Sequence, residues 1–233
     1  MTSTANVSPP TVLIDVDGTI SDSLPGIQNG FRVAMAAIDH PAPDAAFMAK
    51  LAGPPMVESM AALGLSPAAV ATAMDAYMHQ QRSGGWADTT MFDGWPELLT
   101  SWRDSGFRLA TATSKGEHFA KKVLDTFGLL EFFDFIGAAD DSGSRRTKSA
   151  VIEYTLQGLG IAYTDEQGEL LWPSGVVMVG DRIHDFASAT QFGLPSIAVG
   201  WGYGDDEERA LASSTAASPE DLDAEVRRLL ALS

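Results

Sequence analysis

VLIDVDGTISDS, residues 12–23, sets two aspartates, Asp15 and Asp17, two apart at the end of an apolar run. The run reads as a buried strand, and a core strand has no use for charge at its tip. Ionised carboxylates away from water are costly unless they are paired or bound to metal. Taken alone, the stretch allows two readings: a strand that ends in a polar turn, or a strand that delivers two carboxylates to a ligand. The rest of the chain decides between them.

After this first strand, about residues 11–16, comes a region from 22 to 82 that is rich in Ala and Met. Turn signals at HPAPD, AGPP and GLSP divide it into about four helices. Ser66 followed by Pro67 is a helix start, with a capping hydroxyl and a proline at the first helical position. The stretch RSGGWADTTMFDGW reads as a linker back to the first domain. From residue 93 the pattern changes to alternating helix and strand. FRLATAT, FDFIGAA, GVVMVGD and PSIAVGW are the strands, and SPEDLDAEVRRLLAL is a capped final helix. Apolar strands alternating with helices indicate a parallel sheet covered on both faces. The expected fold is α/β, a Rossmann-like parallel sheet core with an inserted α-helical cap domain. Residues 1–21 and 92–233 make the core and 22–91 the cap.

Composition bounds the function. The chain has 233 residues, of which 45% are hydrophobic and 20% charged, as in an ordinary globular protein with room for a large core. It has no cysteine, which excludes thiol catalysis and thiolate metal sites and suits a reducing cytoplasm. Residues 1–10 read as a frayed tail, not a signal peptide. No segment reaches the roughly 18 apolar residues of a membrane span. A net charge of −16 argues against a nucleic acid polymer as partner, yet leaves room for a small anionic substrate. Six of the basic residues cluster between 115 and 148: Lys115, Lys121, Lys122, Arg145, Arg146 and Lys148. Most of these read as solvated; Lys148 is the exception.

In an open α/β sheet, ligands bind at the carboxyl ends of the strands, where the strand order switches. Here those ends carry Asp15 and Asp17, then Thr113 and Ser114, then Asp181 followed by Asp185, with Lys148 at a helix start. Carboxylates, a lysine and hydroxyls form an incomplete set for organic acid–base work but a sensible one for Mg²⁺ and a phosphoryl group. Mg²⁺ takes oxygen ligands and keeps several waters, so a few carboxylates and a substrate phosphate complete its shell. Asp15 can attack phosphorus, while a hydroxyl and an ammonium hold the non-bridging oxygens. Gly18 and Thr19 allow a tight turn whose N–H groups face the phosphate.

DVDGT after the first strand, TATSK ending the second, Lys148 in RRTKSAVI, and VGDRIHD together resemble the four motifs of the haloacid dehalogenase superfamily. VGWGYG and the position of the helical insert resemble its phosphoglycolate-phosphatase-like branch. The resemblance implies Asp15 as nucleophile and Asp17 as general acid and then general base. It implies Thr113 and Lys148 as binders of the phosphoryl group, with Ser114 and Gly18 beside them. Mg²⁺ would be held by the Asp15 carboxylate, the Asp17 backbone carbonyl and Asp181, with Asp185 in support, directly or through water. An aspartate two residues after the nucleophile favours phosphoryl transfer over dehalogenation. The implied activity is hydrolysis of a small phosphomonoester, phosphoglycolate-like or a nucleoside monophosphate. A sugar phosphomutase and a catalytically silent binding protein are the alternatives on the same fold. The expected assembly is a monomer or weak homodimer.

Other residues carry plainer expectations. Met56, Met60, Met74 and Met78, at helical spacings, read as the insert's own core and not a substrate box. Trp86, Trp95, Trp102 and Trp201 read as packing or lid contacts, and His184 as a helix-start group. Arg145 and Arg146 read as a solvated loop. Residues 161–175 are longer than the family's usual link and read as a small hairpin of unassigned role. FASAT, after Asp185, stands where the branch often has glycine.

Overall fold

The structure, a computed structural model, describes residues 9–140, 143–164 and 167–231. The expected frayed tail lies outside them, apart from Pro9 and Pro10.

β1 (Thr11–Ile14) is buried at every position because it has a covered face on both sides. Val12 and Ile14 join one core cluster and Leu13 the other, as the two-residue alternation of a strand requires. The chain then makes β2 (Ser21–Asp22), α1 (Leu24–Ala36), α2 (Ala45–Ala49), α3 (Met56–Ala61), α4 (Pro67–Arg82) and β3 (Thr90–Met91). β2 and β3 pair antiparallel where the chain leaves and re-enters the sheet region, a two-residue ribbon too short for any periodicity to announce. The four expected helices are present, and the Ser66 hydroxyl accepts the Ala69 N–H at 3.2 Å. They enclose a separate apolar cluster that includes Phe31, Met35, Met48 and Met60.

The remainder alternates as expected: α5 (Trp95–Asp104), β4 (Arg108–Gly116), α6 (Glu117–Thr126), β5 (Phe135–Ala139), α7 (Lys148–Gly158), β6 (Val176–Gly180), α8 (Ile183–Gln191) and β7 (Ser196–Val199). Two elements went unread in the sequence: α9 (Asp206–Arg209) and β8 (Ser214–Ala216), both too short to show a period. α10 (Pro219–Ala231) closes the chain, with the Ser218 hydroxyl accepting the Asp221 N–H. The six-stranded sheet has the order β5-β4-β1-β6-β7-β8, every neighbouring pair parallel. α5, α6 and α10 cover one face; α7 and α8 cover the other. Among the described residues of 161–175 a bridge joins Thr164 to Leu170, and the Trp172 ring lies against Gly193 of the loop after α8.

Of the tryptophans, Trp102 is fully buried and its indole N–H donates to Asp223 of α10 at 2.8 Å. Trp102→Ala should cost about 3–5 kcal/mol, as truncation of a buried aromatic does. The measurement is the urea midpoint at unchanged m-value; a loss under about 1 kcal/mol would contradict this packing.

Candidate active site

β1 lies between β4 and β6, so the order switches there and the carboxyl ends of the three strands open one crevice. β1 delivers Asp15 and then Asp17 in the turn beyond it. That turn is held by the Ile20 and Ser21 N–H groups donating to the Val16 oxygen, both at 2.9 Å. Gly18 adopts φ +83°, and a Cβ there would collide with the Asp181 carboxylate, so the position requires glycine on two counts. Its own N–H donates to the Ser21 oxygen at 2.7 Å, which corrects the expectation that it faces a phosphate. Gly18 contributes room, not a donor. Two indoles clamp the turn: Trp95 and Trp201 both donate to the Thr19 oxygen, at 3.0 and 2.9 Å.

Lys148, the first residue of α7, reaches under β1 and β4. Its Nζ lies 2.8 Å from Asp15 Oδ1 and 2.7 Å from Asp185 Oδ1, and donates to the Ala112 oxygen at 2.8 Å. Burial alone would lower the Lys148 pKa, but Asp15 and Asp185 outweigh it and hold the ammonium charged. Burial pushes Asp15 up to about 6 despite Lys148, with Asp185 adding to the rise. Asp181 is raised well above the usual carboxylate range by burial, then by Asp185 and Asp15. Carboxylate oxygens of Asp15, Asp181 and Asp185 lie within 4.8 Å of one another. Three buried carboxylates thus face one ammonium, and an all-oxygen donor set short of positive charge fits a hard divalent cation.

Asp185 also fixes the backbone. Its Oδ2 accepts the N–H groups of Asp181 and Arg182, at 3.2 and 3.0 Å, as an acidic residue in a first helical turn can. Asp181 in turn accepts the Tyr203 N–H at 2.8 Å. The adjacent Arg182 pairs with Glu208 at 2.7 Å and donates to the Ala52 oxygen in the loop before α3.

Asp17 is held from the other side. Lys115 Nζ donates to both of its oxygens, at 2.8 and 3.2 Å, and the lysine side chain is only 11% exposed. The expectation of a solvated Lys115 is therefore corrected, and the cause is local. Thr113 pairs with Ala138 and Gly116 with Ala139, so Ser114 and Lys115 bulge out of β4 and the lysine is re-aimed across the crevice. Alternation along a strand gives no warning of this. Tyr203 was missed for a similar reason, since the loop after β7 has no period. Its hydroxyl accepts the Ser23 and Leu24 N–H groups, at 2.8 and 3.0 Å, and donates to Asp22 at 2.8 Å.

Asp15, Asp17, Thr113, Ser114 and Lys115 line a cavity of about 440 Å³ between the sheet and the helical unit. Lys148, Asp181 and Asp185 are buried beside Asp15 and do not line it. Arg146 stands at its exposed edge. Arg145 turns away, donating to the Ala138 oxygen and stacking on Tyr154. Met60 belongs to the insert's core as expected. Met56, Met74 and Met78 line the cavity, so the expectation that they serve the core alone is corrected.

Residues 12–199 match the model of the family described as haloacid dehalogenase-like hydrolase. The chain is 40% identical over 197 residues to a protein of Mycobacterium tuberculosis named tyrosine-protein kinase PtkA, covering 84% of this chain and 64% of that one. It therefore spans less than two thirds of the mycobacterial relative. It is 32% identical over 200 residues to a 5′-nucleotidase of Pseudomonas aeruginosa, covering 85% and 86%. Among solved structures, a predicted phosphatase from Clostridium acetobutylicum superposes with a TM-score of 0.84 at 31% identity, covering 95% and 99%.

The crowding of carboxylates has a measurable cost. Between the ordinary carboxylate value of 3.8 and about 6, folded Asp15 still holds a proton that the unfolded chain has released. Stability from such groups falls as pH rises through that window. Asp181→Asn removes one of the three charges and keeps an acceptor for the Tyr203 N–H. In EDTA at pH 8 this variant should melt higher than the wild type, with the gap narrowing as pH falls below 6. A lower melting temperature than wild type at pH 8 would show that the cluster is not strained by charge.

Proposed function

The chain belongs to the haloacid dehalogenase-like hydrolases, and on that footing we propose that it is a Mg²⁺-dependent phosphatase acting on a small phosphomonoester. The observation that carries the reading is Asp15, locked between Lys148 and the cavity, with Asp17 two residues on and held by a second lysine.

We assign Asp15 as the nucleophile. Its carboxylate oxygen attacks phosphorus, the bond to the leaving oxygen breaks, and Asp17 gives that oxygen a proton. Water then attacks the aspartyl phosphate, Asp17 takes its proton, and phosphate leaves Asp15 free. Lys115 fixes the direction of the Asp17 side chain toward the cavity that Asp15 also lines. Lys148 fixes the direction of the Asp15 carboxylate, and the hydroxyls of Thr113 and Ser114 face the phosphoryl oxygens. Mg²⁺, when bound by the Asp15 carboxylate, the Asp17 carbonyl and Asp181 with Asp185 in support, offsets the charge on those oxygens.

Residues 1–21 and 92–233 form the catalytic unit in this reading, and 22–91 a cap that keeps water out during the first transfer. The partner is a small phosphorylated metabolite, and the compartment is the cytoplasm. Among the described residues, no helix is long and apolar enough to cross a membrane. The kinase name of the mycobacterial relatives makes transfer to tyrosine the competing outcome, and it needs a nucleotide donor.

Three measurements test the proposal. Phosphate release should require Mg²⁺ and stop in excess EDTA. Asp15→Asn should give no phosphoenzyme with any substrate. Asp17→Asn should still release a burst of nitrophenol from nitrophenyl phosphate, whose leaving group needs no proton. Its steady rate should then be lower by a factor on the order of 10²–10⁴. A burst from Asp15→Asn would reverse the two assignments. Label transfer from ATP to tyrosine without phosphate release from any monoester would overturn the phosphatase reading.

A further inference from the structure

The cavity is built unevenly. Its reacting end is polar, with Asp15, Asp17, Thr113 and Ser114. Beyond that end, beside the polar Asp75, Gln81 and Asp140, the wall carries an apolar stretch from both units: Met56 from the start of α3, Met74 and Met78 one turn apart on α4, and Phe119 from the first turns of α6. Tyr77, on the same turn of α4, has its hydroxyl pKa pushed up by burial and by the charge of Asp17. It stays a neutral phenol. Lys115 is taken by Asp17, while Arg82 and Arg146 are exposed at the cavity's edge.

A two-carbon phosphorylated acid fits this wall poorly. Along the apolar stretch its carboxylate would lie against thioethers and a phenyl ring, and an anion in such surroundings is costly. It would also leave most of the space empty, since about 440 Å³ falls within the range of roughly 300–1,000 Å³ of pockets that enclose far larger ligands. A flat apolar body meets the wall better. Methionine side chains mould to it, and their sulfurs favour the edges of aromatic rings.

We propose that Met74, Met78 and Phe119 form a slot for the flat aromatic body of the phosphomonoester and so determine specificity. The proposal rests on the phosphatase reading for the phosphate end and adds the class of the leaving group. A nucleobase and a simple aryl group share the required chemistry.

The test is binding of unreactive phosphonates to the full chain, by calorimetry in Mg²⁺ buffer. The probes are a nucleoside 5′-phosphonate, naphthylmethylphosphonate and 3-phosphonopropionate. At least one flat probe should bind about tenfold tighter or more than 3-phosphonopropionate. Whichever flat probe leads names the source of the ring. In a Met74→Ala/Met78→Ala variant, and separately in Phe119→Ala, that advantage should shrink to about threefold or less, each variant checked by its thermal melt. The methionine pair keeps the test alive should the Phe119 variant fold badly. Equal affinities for flat and short probes, or an advantage that survives in both variants, overturns the slot and leaves the phosphate end standing. No binding of any phosphonate overturns both.

Discussion

One ammonium amid three buried carboxylates is the constraint on which the rest of the molecule depends. Lys148 touches Asp15 and Asp185, and Asp181 lies within the same cluster with no lysine of its own. Charge this crowded and this far from water is unfavourable unless each oxygen finds a donor. The backbone supplies part of them, and Lys148 stands against the Asp15 and Asp185 oxygens it leaves. Asp185 takes the N–H groups that open α8, and Asp181 takes that of Tyr203, so the loops after β6 and β7 are shaped by what the carboxylates require. The negative charge left over is the property a divalent cation exploits, and a second lysine in the cluster would diminish it.

The same residues fasten the helical unit to the sheet. Tyr203 gives its N–H to Asp181 and accepts, at its hydroxyl, two N–H groups from the start of α1 that no helical turn can satisfy. Arg182, next to Asp181, holds the Ala52 oxygen of that unit. Two tethers of the helices therefore start within one residue or one hydrogen bond of a buried carboxylate. Gly18 and Gly202 make this possible, since a Cβ at either would strike Asp181. The glycines beside the cluster are there for close approach, and Tyr203 is the polar bridge across it.

The sequence carried the sheet because the physics of a covered parallel strand is local. Each strand must be apolar throughout, each is followed by a helix, and the helices announce themselves by caps such as Ser66 and Ser218. The acidic residues were legible for the same reason: a charge at the tip of a buried strand has no structural use. What escaped was set by non-local geometry. Lys115 reaches Asp17 only because β4 gains two residues against β5, a register shift that depends on the partner strand. Tyr203 bonds to Asp22 and the start of α1, residues nearly 180 positions away. β2, β3 and β8 hold two or three residues each, less than the alternation needed to recognise a strand.

The methionines show a different kind of limit. A helix that lines a cavity and a helix that lines a core need the same stripe, with an apolar side chain every three or four residues. Met60 and Met74 lie on neighbouring helices, yet the first is sealed among Phe31 and Met35 while the second, packed at the edge of the same cluster, also lines the cavity. No pattern along the chain separates them, because the difference lies in what the fold brings opposite each one. Residues of both α4 and α6 line the cavity. An apolar stretch left open to a cavity is a surface that excludes water once a ligand covers it.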